Sequence, residues 1–309
     1  MTTLACTGLH KDIRQSEKMM QSHLDAQDDG LPMRPSGSWA LKKLDYLERY
    51  LSVFVTSMRD KPWRAMHYID LFAGPGKCRA RQTGKIYPGS PLIALKVAYP
   101  FTCYFFVDLE PDDINALRQR CSVSPLSDRV QYFVGDSNQV VHEIAKHIST
   151  IDREFIRGQW PSLNLAFLDP AGMDLYWKTV KVLAQLNRMD LIIHYPQMGL
   201  TRYMPHAFES AEENKVDLFF GGREWREIYA EWQGKTGLHR RLIDHYKEKL
   251  RGLGYEEVLR GDEPEPLMRN VKRRAPLYRL IFASKHPLGH DFWHKVTRRD
   301  VHGQTRLPI

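Results

Sequence analysis

The stretch from Met66 to Arg79 constrains the fold more than any other. A β-rich apolar run ends in an acid, Asp70, and is followed after three residues by the turn Gly74-Pro75-Gly76. Without a Cβ, Gly74 and Gly76 let the backbone turn sharply and let a ligand lie directly on the main chain. The pattern predicts the first strand of an α/β sheet meeting a ligand, with Asp70 at the strand end to accept hydrogen bonds from a cationic group.

Three known loops compete for it. A P-loop needs Gly-x-x-x-x-Gly-Lys followed by Ser or Thr, but Leu71 stands at its first glycine and Cys78 after Lys77. A dinucleotide fingerprint wants a third glycine where Arg79 stands. What remains, acid-x-x-x-Gly-x-Gly, suits S-adenosylmethionine, which offers a sulfonium, an ammonium and a carboxylate but no pyrophosphate. The wording Asp-Leu-Phe-Ala-Gly-x-Gly resembles motif I of class I methyltransferases.

The rest of the chain repeats the device. The strand predicted over residues 102–107 ends in Asp108, where an acid reaches ribose hydroxyls in a doubly wound sheet. The strand over 130–134 ends in Gly135-Asp136, where Asp136 can meet an adenine amino group, and that over 164–168 ends in Asp169-Pro170-Ala171-Gly172. Three strands in succession, then a fourth, therefore carry an aspartate to one edge. Helices are predicted over 39–58, with Ser38 as N-cap, from Gly89-Ser90-Pro91 to about Val97, and over 111–121, 138–149, 173–185, 209–233 and 238–253. The segment 79–87 is predicted to be a polar insertion, 195–202 a loop on the substrate side, and 255–259 and 276–283 the closing strands. Residues 1–38 hold few bulky apolar side chains and are expected to form a flexible leader.

Composition narrows the function. No apolar run approaches the ~20 residues of a membrane span, and the N-terminus has no secretory hydrophobic region, so a cytoplasmic protein is expected. Cys6, Cys78, Cys103 and Cys121 form no Cys-x-x-Cys pair and predict neither a disulfide framework nor a metal site. The net charge of +8 is concentrated: residues 235–309 hold 17 Lys and Arg against 9 Asp and Glu. A basic surface of this kind fits a polyanion.

Six motifs occur in order: Asp70 to Gly76, Gly89 to Pro91, Gly135-Asp136, Asp169 to Gly172, Phe220-Gly-Gly-x-x-Trp225, and Leu280 to Gly289. This set resembles the three-Cys-motif partner proteins over roughly residues 39–296. The resemblance implies a class I methyltransferase-like (Rossmann-like), mostly parallel seven-stranded sheet with helices on both faces. It divides the chain into a helix over 39–64 packed on the core, a methyltransferase-like domain over 65–296 with a helical insertion at 195–254, and a basic tail at 297–309. It also implies a possible three-Cys-motif partner protein. Family members often carry an aromatic residue where Ala171 stands.

S-adenosylmethionine would lie on Asp70, Phe72, Ala73, Gly74, Pro75, Gly76 and Ser90, on Asp108 and Leu109, and on Asp136 and Ser137, with Asp169 beside the methyl group. Asp169 is the candidate for touching the acceptor. Lys77 and Lys285 are candidate bases for a hydroxyl acceptor, whereas His194 and His286 are expected to be partnered residues at strand ends. Arg79, Arg81, Arg202, Lys272, Arg273, Arg274, Arg298 and Arg299 would meet nucleic-acid phosphates, RNA or DNA. Two functions are carried forward: methyl transfer to a nucleic acid, and a non-catalytic or cofactor-binding subunit of a three-Cys-motif protein.

Overall fold

The computed structural model describes residues 26–37, 39–154, 156–259, 265–270 and 274–298. The chain opens with a short strand β1 (Arg34–Ser36) and the helix α1 (Trp39–Met58). α1 forms because Leu44, Leu47, Leu51, Phe54 and Val55 recur every three or four residues and are all buried. There follow β2 (Met66–Asp70), a hairpin of β3 (Lys77–Ala80) and β4 (Ile86–Pro88), α2 (Ser90–Leu95), β5 (Cys103–Asp108), α3 (Pro111–Cys121), β6 (Val130–Val134) and α4 (Ser137–Arg153). The second half runs β7 (Leu163–Leu168), α5 (Trp177–Ala184), β8 (Met189–Tyr195), α6 (Gln197–Glu209), α7 (Lys215–Phe220), α8 (Trp225–Trp232), α9 (Leu238–Arg251), β9 (Leu267–Arg269), β10 (Pro276–Ala283) and α10 (Pro287–Thr297).

Seven strands form one sheet in the order β6-β5-β2-β7-β8-β10-β9, with β10 antiparallel to both neighbours. Side chains of alternate residues feed two cores. In β7, Ala166 and Leu168 join the cluster under α4, α5 and the helices of 197–251, whereas Leu165 and Phe167 join the one under α1, α2, α3 and α10. Burial on both faces explains why the central strands are continuously apolar. The sheet order makes the fold class I methyltransferase-like. Strand order reverses between β2 and β7, so the crevice outside their carboxyl ends, where ligands of such sheets bind, falls between Asp70 and Asp169. Among the described residues no helix is long and apolar enough to cross a membrane.

Four expectations are corrected. Residues 26–37 are an ordered strap rather than a flexible leader: β1 pairs in parallel with β3, and Asp29 is anchored in the interior. Residues 1–25 and Ser38 lie outside the described residues, as does the tail beyond Arg298. The insertion at 79–87 is most of the β3/β4 hairpin, which with β1 makes a second, three-stranded sheet. The loop at 195–202 is the start of α6, whose Leu200, Met204 and Ala207 are buried on one face. The strand placed at 255–259 is instead a turn of 3₁₀ helix, and the outer strand is β9.

Candidate active site

The loop after β2 is fixed by its own main chain and by the strap. Ala73 N–H donates to the Val107 carbonyl at 2.8 Å, and Gly74 N–H to Asp108 Oδ2 at 2.7 Å. Gly74 and Gly76 have φ of 61° and 87°, a region that penalises any Cβ; one at Gly76 would also lie 2.7 Å from Leu117. Beneath the loop, Asp70 is fully buried and accepts from Phe72 N–H at 3.2 Å and from the Ser90 hydroxyl. Burial pushes its carboxyl up to about 7; the Ser90 and Phe72 hydrogen bonds oppose this, and the charges of Asp169 and Asp108 add to it. The strand-end acids Asp70, Asp108 and Asp169 therefore sit close enough to feel one another.

Each acid already has a partner. Arg34 of β1 donates to Asp108 Oδ2 at 3.0 Å and reaches Asp113 at 3.4 Å, and its guanidinium lies 3.0 Å from where a Gly74 Cβ would be. Asp108 Oδ1 accepts from Glu110 N–H at 3.2 Å. Asp169 pairs with Lys43 of α1, and its Oδ1 faces His194 Nδ1 at 3.2 Å. Burial raises the Asp169 pKa, but the Lys43 charge and the His194 contact overcome it and hold the carboxyl well below the usual range. Asp136 is exposed and serves as N-cap of α4, accepting from the main-chain and side-chain N–H groups of Asn138 at 2.9 and 2.8 Å. Leu109 is 63% exposed, and Ser137 is buried in the first turn of α4.

The candidate bases are not there. Lys77 is wholly buried and bonds Asp29 at 3.0 Å and the Gln27 carbonyl at 2.9 Å. Arg120, also wholly buried, grips Asp29 through two bonds of 2.7 and 2.8 Å, and donates to the carbonyls of Pro32 and of Pro75 in the glycine loop. Burial raises the Asp29 pKa, and hydrogen bonds and charge from Arg120 and Lys77 reverse that, so the carboxyl is held well below its usual range. Lys77 is thus a bolt for the strap. Lys285 follows β10 at the amino edge of the sheet, where its Nζ caps the carbonyls of Ala184 and Leu186 at 2.5 and 3.2 Å, on the far side from the acids.

Beside Asp169 opens a cleft of about 1140 Å³. Its walls are the strap (Arg34 to Gly37), the first turn of α1, the segment 169–174, the end of β8, α6 and the start of β10. Arg81 and Arg202 line it, with Met198 and Tyr203, both more than half exposed, close by. The other cationic candidates do not gather there: Arg79 is paired with Asp28 at 2.6 Å, Arg274 turns the chain before β10 with φ of 51°, and Arg298 caps α10. Lys272, Arg273 and Arg299 lie outside the described residues.

Sequence reasoning missed Arg34, Lys43, Arg120 and Asn138. Asn138 is buried and ties α4 to the next crossover, accepting from Tyr176 N–H and Thr179 and donating to the Asp174 carbonyl. Only Asn138 had a signal, an Asx residue two places after an N-cap acid.

No protein-family model and no curated protein sequence matches the chain. Among solved structures, a putative O-methyltransferase from Klebsiella pneumoniae is similar over 92% of this chain and 93% of its own, at 9% identity and a TM-score of 0.39. An O-methyltransferase from Bacillus cereus in complex with SAH is similar over 92% and 94%, at 10% identity and 0.38. The O-methyltransferase TomG from Streptomyces achromogenes, in complex with SAM, is similar over 88% and 96%, at 11% identity and 0.39. The fold assignment rests on the strand order.

Proposed function

We propose that the protein is an S-adenosylmethionine-dependent methyltransferase. The observation that carries this reading is the gathering of Asp70, Asp108 and Asp169 at the switch point, around a loop whose two left-handed glycines bring bare main chain to the same place. The donor set fits the group. Asp108 already accepts from a guanidinium where ribose hydroxyls would donate, and Asp70 is a buried carboxyl with no cationic partner among the described residues, as an ammonium ligand would want. Phe72, Ala73, Pro75 and Ser90 shape the loop, while Leu109, Asp136 and Ser137 flank the adenine side. The cofactor would supply an electrophilic methyl group on a sulfonium. The chain's own task is to hold that methyl and the acceptor in line, a contribution of ~7–11 kcal/mol in favourable cases.

A nucleic acid is the proposed acceptor. Support comes from the overall charge of +8 and from Arg81 and Arg202 beside Tyr203 at the cleft, cations for phosphates next to a ring on which a base can stack. Titration calorimetry with S-adenosylhomocysteine tests the first step, and tritiated-methyl transfer to total tRNA, rRNA and genomic DNA the second. Absence of binding by the wild-type protein refutes the reading outright. A second reading, a cofactor-binding or non-catalytic subunit of a three-Cys-motif protein, has the Arg34 contact in its favour, since Arg34 already holds the ribose acceptor. Methyl transfer by the isolated chain would refute it.

A further inference from the structure

His194 stands at the carboxyl end of β8 and lines the cleft, although only 8% of it is exposed. Its Nδ1 lies 3.1 Å from the Pro170 carbonyl oxygen and 3.2 Å from Asp169 Oδ1. A carbonyl oxygen only accepts, so the ring that makes this bond carries its proton on Nδ1. Among the described residues no hydrogen-bond partner meets Nε2, and Nε2 is not among the sealed polar atoms of the interior. The ring packs against Tyr278, another cleft residue, at 4.4 Å between centroids with the planes tilted by 56°. The imidazole is therefore fixed in one tautomer and one orientation, with a bare lone pair in the wall of the cleft. Partnership at a strand end, the expectation from sequence, accounts for Nδ1 and leaves Nε2 unexplained.

We infer that His194 is the general base for an acceptor hydroxyl, with Asp169 as its positioning residue. The inference rests on the methyltransferase reading above. As the acceptor oxygen bonds to the methyl carbon, the S–C bond breaks and its electron pair stays on sulfur, giving a neutral thioether. The hydroxyl proton moves to Nε2. The imidazolium so formed faces Asp169, which Lys43 keeps ionised from the other side. The charged and titratable groups facing the ring are Asp169 from the end of β7, Lys43 from α1 and Tyr278 from β10, with Arg34 of the strap acting on Asp169. Asp169, assigned from sequence to touch the acceptor, acts through His194 instead: Lys43 pairs with its Oδ2, and its Oδ1, buried without a hydrogen bond among the described residues, faces the imidazole Nδ1 at 3.2 Å.

Nitrogen-15 NMR of the free protein reads the tautomer directly: the inference expects the Nδ1–H form for His194, and an Nε2–H tautomer overturns it. In the transfer assay, His194→Asn is expected to lower the rate by about 10²–10⁴-fold. Affinity for S-adenosylhomocysteine should change less than threefold. Wild-type transfer with an undiminished His194→Asn rate overturns the inference and leaves the methyltransferase reading intact. Absence of S-adenosylhomocysteine binding by the wild-type protein overturns both.

Discussion

Replacing Asp70 by Asn should change the pH dependence of stability in a calculable way. The carboxyl is fully buried, and its pKa rises from 3.8 to about 7 on folding, chiefly through burial. Between those values the native state holds a proton that the unfolded chain releases. The stability this proton confers is complete below the unfolded pKa and is lost as pH rises through 7. At 1.36 kcal/mol per pH unit, a displacement of about 3 units corresponds to about 4 kcal/mol. The amide of Asn cannot ionise, yet its Oδ1 can accept from Phe72 N–H and its Nδ2 can donate to Ser90 Oγ. The stability of Asp70→Asn relative to wild type should therefore climb by about 4 kcal/mol from pH 4 to pH 8. Urea unfolding midpoints at half-unit pH steps measure it, and carboxylates remote from Asp70 cancel in the difference. A difference that stays flat across this range would show that Asp70 is ionised throughout, and the account of a buried acid awaiting a cation would fail.

Three further outcomes follow from the same edge of the sheet. A cationic ligand on Asp70 favours its ionised form, so S-adenosylhomocysteine affinity should rise from pH 5 to pH 8, with a binding enthalpy at pH 7 that varies with buffer ionisation; a buffer-independent enthalpy contradicts this. Asp29→Ala leaves Arg120 and Lys77 buried without their anion, a loss of ~3–5 kcal/mol if the strap stays in place. The strap is expected to lift instead, so hydrogen exchange should accelerate at residues 26–37 while β2 and β7 keep their protection; unchanged exchange in the strap refutes its anchoring by Asp29. Arg34→Ala removes a competitor for Asp108, and because Arg34 is one-third exposed the gain is small, about two- to fivefold tighter S-adenosylhomocysteine binding by calorimetry. Weaker binding would make Arg34 a ligand residue instead.

The elements legible in sequence were those whose pattern is local. α1 and α3 have the expected ends, and β2, β5, β6 and β7 fall within a residue or two of theirs, because a buried run bounded by polar residues declares itself. α6 was hidden by Gly199 and Pro205, residues that argue against a helix, although Leu200, Met204 and Ala207 keep helical spacing. The β3/β4 hairpin was hidden by Arg79 and Arg81, exposed charges that alternate with Cys78 and Ala80. The strap could not be read at all: its hold on the core is polar, and Asp29 and Arg120 are 91 residues apart in sequence. Likewise the positions of the strand-end acids were legible and their partners were not, since Arg34 and Lys43 arrive from elements outside the sheet.

Those two cations differ in what they permit. Lys43 is carried by α1, locked by Leu44, Leu47 and Leu51 against the core, so its pairing with Asp169 is as permanent as the helix. Arg34 belongs to a three-residue strand paired along one edge only, and its guanidinium lies on the glycine loop. A ligand that used Asp108 and the loop amides would have to move Arg34 and could leave Lys43 alone. The acids accordingly divide into two groups. Asp169 is paired with Lys43 and faces His194, and neither contact involves a cofactor. Asp70 is a buried carboxyl with no cation beside it among the described residues, and Asp108 has a replaceable partner, so the energy of binding would come from completing them. On the proposed reading, chemistry on the β7 and β8 side and ligand capture on the β2 and β5 side would meet where the strand order reverses.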